Sequence, residues 1–278
     1  MSERNRAEGW RYAKLTGHAN EELVEGITRS DSALQARILA CANKAGATVR
    51  SIDFGGLRET QVACVLGGKT KSKTDMHLYL EDGSRINISI KKSAGGQVFL
   101  IGVDRFIEGF EAQFHKAIPA DVQRAMSLYW GTADDTADVI RRYSTVNRAY
   151  EITKHRLVKE TLERYDADLA RILLRWFNEN MSEVFDFCFS GGLAANKSDW
   201  ANIIWYRNEL YENAMDDLFY VDDVKSRLTK TAEYGSKMGG STIQLPFGFV
   251  QWHSPTNVIP GYMQFHHSYL KIKKLIEG

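Results

Sequence analysis

Apolar and polar residues alternate one for one along residues 71–92. Met76, Leu78 and Leu80 interleave with Asp75, His77 and Tyr79; Ile86, Ile88 and Ile90 interleave with Asn87, Ser89 and Lys91. A period of two, rich in β-branched residues, predicts two strands that each bury one face. Between them Glu81-Asp82-Gly83 is a three-residue hairpin loop with glycine at its left-handed position. That loop sets Asp75 opposite Ser89, His77 opposite Asn87 and Tyr79 opposite Arg85. Directly opposed residues share a face, with Cβ atoms roughly 5 Å apart. Asp75, Ser89 and Lys91 therefore converge on one polar face while the isoleucines hold the other in a core, and Lys92 has the opposite parity.

The same patterning predicts the remaining elements. Asn20 caps a helix carrying Glu21, Glu22 and Glu25, and a second helix runs from Ser32 to Ala45. Strands are expected near Thr48–Phe54 and Gln61–Leu66, with a flexible basic loop, Gly67-Gly-Lys-Thr-Lys-Ser-Lys73, leading into Asp75. The loop lacks the glycine spacing of a nucleotide-binding phosphate loop and suits contact with a nucleic-acid phosphate, through Lys71 and Lys73. Arg105–Lys116 reads as an amphipathic helix. Residues 120–235 read as mostly helical, including a helix from Asp199 to Tyr211. After Gly239-Gly240, residues 241–253 and 262–272 read as strands of a C-terminal ribbon. On that basis 1–118 forms a core with the hairpin, 119–238 a helical region and 239–278 a β-ribbon, together one integrated domain.

Composition changes this picture little. The 278 residues are 44% hydrophobic and 26% charged with net charge +1, ordinary for a globular chain and against nonspecific coating of nucleic acid. The three cysteines, Cys41, Cys64 and Cys188, form no framework or CxxC pair, so a reducing cytoplasm is expected. No apolar run is long enough for a membrane span, so no membrane partner is expected.

The chemistry lies in the hairpin. Asp75 can ligate a hard divalent cation such as Mg2+, and Lys91 can orient or deprotonate a water or neutralise charge on phosphorus. Gln97, shortly after Lys91, can orient a water or touch a phosphate. In the ribbon, Gln251, His253 and Gln264 carry side chains suited to base edges or phosphate. His266 and His267 are adjacent, with no cysteine and no H-x3-5-H spacing nearby, so zinc is not expected.

At Thr74-Asp75, followed after thirteen residues by Ser89-Ile90-Lys91, the chain resembles the PD-(D/E)XK nuclease superfamily. The family pattern has an acid where this chain has Ser89, and some restriction enzymes also carry serine there and recruit a carboxylate from elsewhere. The resemblance implies an α/β (α+β) fold: a mixed central β-sheet flanked by helices, restriction-endonuclease-like, with a mostly helical insertion and the C-terminal β-ribbon. It implies catalysis by Asp75, Ser89 and Lys91, with Gln97 matching a glutamine some restriction nucleases carry after the lysine. It also implies a second metal ligand from Glu21 or Glu22 on the preceding helix, or from Asp104 on the following one. The implied activity is that of a type II restriction endonuclease: Mg2+-dependent, acting on double-stranded DNA, homodimeric, and paired with a cognate DNA methyltransferase. A repair or junction-resolving nuclease, or a silent DNA-binding protein of the same fold, remain as alternatives.

Overall fold

The alternating stretch folds into the hairpin its spacing requires. Met76–Leu80 and Arg85–Lys91 pair antiparallel, with His77 opposite Asn87 and Tyr79 opposite Arg85. The turn closes through Leu80 N–H to the Ser84 carbonyl at 2.9 Å. Gly83 takes φ 80°, a conformation that favours glycine. The computed structural model describes residues 20, 22–54, 61–209, 215–252 and 261–278. Its strands are, in order, β1 (Val49–Phe54), β2 (Gln61–Ala63), β3 (Lys69–Lys71), β4 (Met76–Leu80), β5 (Arg85–Lys91) and β6 (Gly95–Gly102). They continue as β7 (Ile203–Arg207), β8 (Asp216–Tyr220), β9 (Glu233–Tyr234), β10 (Thr242–Leu245), β11 (Gly248–Trp252) and β12 (Tyr262–Ser268). The fold is mixed α+β and divides into two compact units, Met1–Ala94 with Phe189–Ser226, and Gly95–Cys188 with Arg227–Gly278.

The first unit is built on a five-stranded sheet in the order β1-β4-β5-β7-β8. Only β5 and β7 run parallel; the other neighbours are antiparallel. One face is a core in which Met76, Leu78, Leu80, Ile86, Ile88, Ile90, Ile203 and Trp205 meet Val24, Leu34, Ile38 and Leu39. The last four come from two helices, over residues 22–30 and Ser32–Cys41. Asp31 caps the second, accepting from Leu34 N–H at 3.0 Å, which fixes where the chain turns. Fully burying aliphatic side chains of this kind stabilises the fold by about 1.5–3 kcal/mol each.

Two stretches of this unit depart from the sequence expectation. The helix expected from Asp199 to Tyr211 is instead, at its centre, the strand β7. Ile203, Ile204, Trp205 and Tyr206 are all buried. A strand covered on both faces shows a continuous apolar run rather than alternation, and such a run resembles a buried helix. The basic loop contains β3, whose Lys69 and Lys71 pair with Ala63 and Gln61.

The second unit carries a five-stranded antiparallel sheet in the order β6-β12-β11-β10-β9. The pairing of β12 with β6 shifts register between Phe265 and His266, where Val98 of β6 is the extra residue. Behind the sheet, helices Val103–Phe114, Ala167–Glu179 and Met181–Phe189 supply an aromatic cluster. Its members Phe106, Phe110, Trp176, Phe187 and Phe265 have ring centroids 4.9–6.3 Å apart where they touch. The ribbon exists but is not free-standing: β12 pairs with β6, so residues 95–118 group with the C-terminal strands rather than with the hairpin. Residues 269–272, expected as strand, begin the helix Tyr269–Glu277, because Ser268 caps it by accepting from Lys271 N–H at 3.4 Å. Cys64 and Cys188 are buried and Cys41 is half-buried. Among the described residues no helix is long and apolar enough to cross a membrane.

Candidate active site

Asp75 stands just before β4. Its backbone N–H donates to the Ile88 carbonyl at 2.9 Å, which carries the hairpin ladder one residue further and sets its side chain beside Ser89. Asp75 Oδ2 accepts from Ile90 N–H at 2.7 Å and lies 3.4 Å from Ser89 Oγ. Lys91 Nζ donates to Ser89 Oγ at 2.6 Å. Carboxyl, hydroxyl and ammonium thus form a line across two adjacent strands, with Ser89 buried and the other two half-buried. Burial pushes the Asp75 carboxyl above the usual carboxylate range; Lys91, Ile90 N–H, Ser89 and Lys73 pull the other way without cancelling it.

The strands are held by a loop that the sequence reading did not connect to them. Asn87, the rung next to Ser89, donates through Nδ2 to the carbonyls of Ser198 and Trp200 at 2.7 and 2.8 Å. Its backbone N–H donates to Asn202 Oδ1 at 2.9 Å, and its Oδ1 lies 2.8 Å from His77 Nδ1. Thr74 Oγ1 donates to the Asp199 carbonyl at 3.2 Å, and Arg85 pairs with the Asp199 carboxylate at 3.1 Å. A short polar run before a buried strand, Asn196 to Asn202, was the available signal.

The other candidate residues are placed as follows. Glu21 lies outside the described residues, and Glu22 is exposed on the helix over 22–30. Asn20 is not a cap: it sits in the helix, buried, accepting from Glu209 N–H at 2.7 Å and donating to the Arg207 carbonyl at 2.9 Å. Lys71 is exposed at the end of β3 and Lys73 is half-buried. In the second unit, Asp104 is exposed in the first turn of Val103–Phe114. Gln97, Gln264 and Gln251 form a row across three strands: Gln264 Nε2 donates to Gln97 Oε1 at 2.7 Å, and Gln251 Nε2 to Gln264 Oε1 at 2.9 Å. Gln251 Nε2 is also 3.3 Å from His266 Nε2, and His266 stacks on Phe249 at 4.5 Å. His253 lies outside the described residues.

Among the described residues no three His, Cys, Asp or Glu side chains gather into a metal-binding group. The side-chain donors that do meet at Asp75 are oxygens: its own carboxylate and the Ser89 hydroxyl. Such a set suits a hard cation that keeps most of its waters and relies on one or two carboxylates. A cation there would also favour the charged form that burial disfavours.

No family model matches the chain, and no curated protein matches it. Among solved structures, the restriction endonuclease MspI in complex with its cognate DNA is similar at a TM-score of 0.47 and 13% identity. That alignment covers 84% of this chain and 76% of that one.

Proposed function

We propose that the chain is a magnesium-dependent, site-specific endonuclease that hydrolyses phosphodiester bonds in double-stranded DNA, as a type II restriction enzyme does. The observation that carries this reading is the line Asp75–Ser89–Lys91, with Lys91 Nζ 2.6 Å from Ser89 Oγ and Asp75 Oδ2 fixed at 2.7 Å by Ile90 N–H. Lys91 gives one donor to Ser89 and one, at 3.4 Å, to the Ile90 carbonyl, which leaves a third N–H for a phosphate oxygen or an attacking water. Lys91 would orient that water and neutralise charge developing on phosphorus. Asp75 would hold magnesium, which when bound supplies an acidified water and charge stabilisation at the phosphate. Glu21 is proposed as the further carboxylate, Lys71 as a phosphate contact, and Gln251 and Gln264 as base-reading groups. A cytoplasmic homodimer, each subunit cutting one strand, with a cognate methyltransferase completes the reading.

The hydroxyl of Ser89 at an otherwise acidic position favours a second reading, a silent DNA-binding protein. Incubation with unmethylated phage DNA and magnesium separates the two. Discrete fragments, lost in Asp75→Ala and in Lys91→Ala, are expected; a smear points to a repair-type nuclease, and intact DNA to the silent protein. Cleavage that survives either substitution refutes the site.

A further inference from the structure

The amide row of the second unit has a direction. Gln251 Nε2 donates to Gln264 Oε1 at 2.9 Å, and Gln264 Nε2 donates to Gln97 Oε1 at 2.7 Å. An amide carries its donors on nitrogen and its acceptor on oxygen, so each of these bonds fixes which way both glutamines are turned. Reversing one alone would set oxygen against oxygen or nitrogen against nitrogen. The three turn together, and only two directions satisfy them all. Among the described residues Gln251 Oε1 and Gln97 Nε2 have no further hydrogen-bond partner. The row therefore ends in an acceptor at Gln251 and a donor at Gln97.

The choice of direction is made at one atom. His266 Nε2 lies 3.3 Å from Gln251 Nε2. The amide nitrogen can only donate, so the ring nitrogen accepts, and a neutral imidazole then carries its proton on Nδ1. With the proton on Nε2, Gln251 would have to present its oxygen to the ring, and the row would reverse. The ring is well seated for this role. It stacks on Phe249, its direct cross-strand partner, with planes 7° apart and centroids 4.5 Å apart. A Cβ on Gly248 would meet the His266 carbonyl at 1.9 Å, so the bare glycine lets the two strands close on that pair. Val250, Met263 and Phe265 point into the core of the unit, whereas Gln251, Gln264 and His266 on the other face are half-buried and Gln97 is exposed. The ends of the row are thus open to a ligand. In the major groove adenine and cytosine present an amino donor there, and guanine and thymine a carbonyl acceptor.

We propose that His266 is a specificity-determining positioning residue. By accepting from Gln251 it turns Gln251 Oε1 outward, which selects a base with an exocyclic amino group, adenine or cytosine, over guanine or thymine at one position of the target. This rests on the endonuclease reading above and its base-reading role for Gln251. His266 acts through the amide and touches no base itself.

The test has two parts. In the nitrogen-15-labelled full chain at neutral pH, a two-bond proton–nitrogen spectrum of the imidazoles, assigned by the signals lost in His266→Phe, should show His266 with Nε2 unprotonated and Nδ1 protonated. Then, with the cleaved sequence established by digestion of unmethylated phage DNA, binding by Asp75→Ala protein is measured on duplexes carrying each base pair at each position of that sequence. At one position adenine or cytosine should be preferred over guanine and thymine by about 5–150-fold, the range for one mismatched base pair. His266→Phe keeps a ring on Phe249 and removes the acceptor, and should bring that ratio toward one. His266→Arg keeps a planar group that stacks but offers only donors. It should turn Gln251 round and favour guanine or thymine at the same position, a reversal that lost packing would not produce. A protonated Nε2 in the parent chain, a ranking unchanged in either variant, or one that His266→Arg flattens without reversing, overturns the proposal alone. Intact DNA with the parent chain overturns the endonuclease reading and the base selection with it.

Discussion

In the proposed endonuclease, Asp75 is asked to do two opposed things. Its position at the end of the hairpin ladder buries the carboxyl enough to raise its pKa, yet the metal ligand proposed there would have to be charged. A carboxyl whose pKa is raised by folding stabilises the native state fully only below its unfolded pKa, and that contribution is lost as pH rises through the folded value. At neutral pH without metal the group is therefore a cost to the fold. Asp75→Asn keeps an oxygen for Ile90 N–H and removes the charge, so it should raise the melting temperature of the metal-free protein, by about 0.5–2 kcal/mol in stability. The gain should narrow in acid, where the aspartate is protonated in both states. Magnesium should stabilise the parent chain but not the variant, because a ligand stabilises only the state that binds it. Thermal melts with and without magnesium at two pH values check all three.

Beside β5, the ends of β7 and β8 are held together by a charge cluster. Asp216 on β8 accepts from Arg37 at 2.8 Å and from Trp205 Nε1 on β7 at 3.0 Å, and it also pairs with Arg207. Burial works against its charge, but those hydrogen bonds prevail and hold the carboxyl at about 2, against an ordinary 3.8. With a depressed folded pKa the contribution is present above the unfolded value and lost as pH falls through the folded one. Stability should therefore drop between roughly pH 4 and pH 2. Asp216→Asn should lower the melting temperature at neutral pH and flatten that acid arm, as read by denaturant titration across the interval. Ile88→Ala, in the core beneath the same strands, should cost about 2–5 kcal/mol by the same titration. These elements also show what the sequence made legible. The hairpin could be read because one face is apolar and one polar, so period and loop together fixed its register. β7 could not, because burial on both faces erased the alternation and left a continuous apolar run that reads equally as a buried helix. Asn87 looked like one more polar rung; its ties to Ser198, Trp200 and Asn202 cross more than a hundred residues of chain, a pairing that local pattern does not encode.

Across the whole molecule, a net charge of +1 leaves little bulk attraction for DNA, so the affinity proposed above would have to come from local groups, and the two units carry different kinds. The first carries exposed lysines on β3, and the second carries the amide row of Gln97, Gln264 and Gln251. The row depends on backbone irregularity: the extra residue Val98 shifts the β6 register opposite Phe265 and His266, and the Gln97–Gln264 bond is made beside it. Amides already bonded to one another are pre-oriented, and a bidentate amide–adenine contact is worth about 1–3 kcal/mol of discrimination. Phosphate contacts, by contrast, add affinity without reading sequence. Substitutions in the two units should therefore fail differently. With the protein silenced by Asp75→Ala, Lys71→Ala should weaken binding equally to the cleaved sequence and its single-base variants, and reduce the salt slope by about one contact. Gln251→Ala or Gln264→Ala should leave the salt slope alone and compress the affinity gap between the cleaved sequence and its variants at one base pair. Competition binding at two salt concentrations measures both quantities at once; a glutamine substitution that changes the slope, or leaves every affinity ratio intact, would mean that the amide row only braces its sheet.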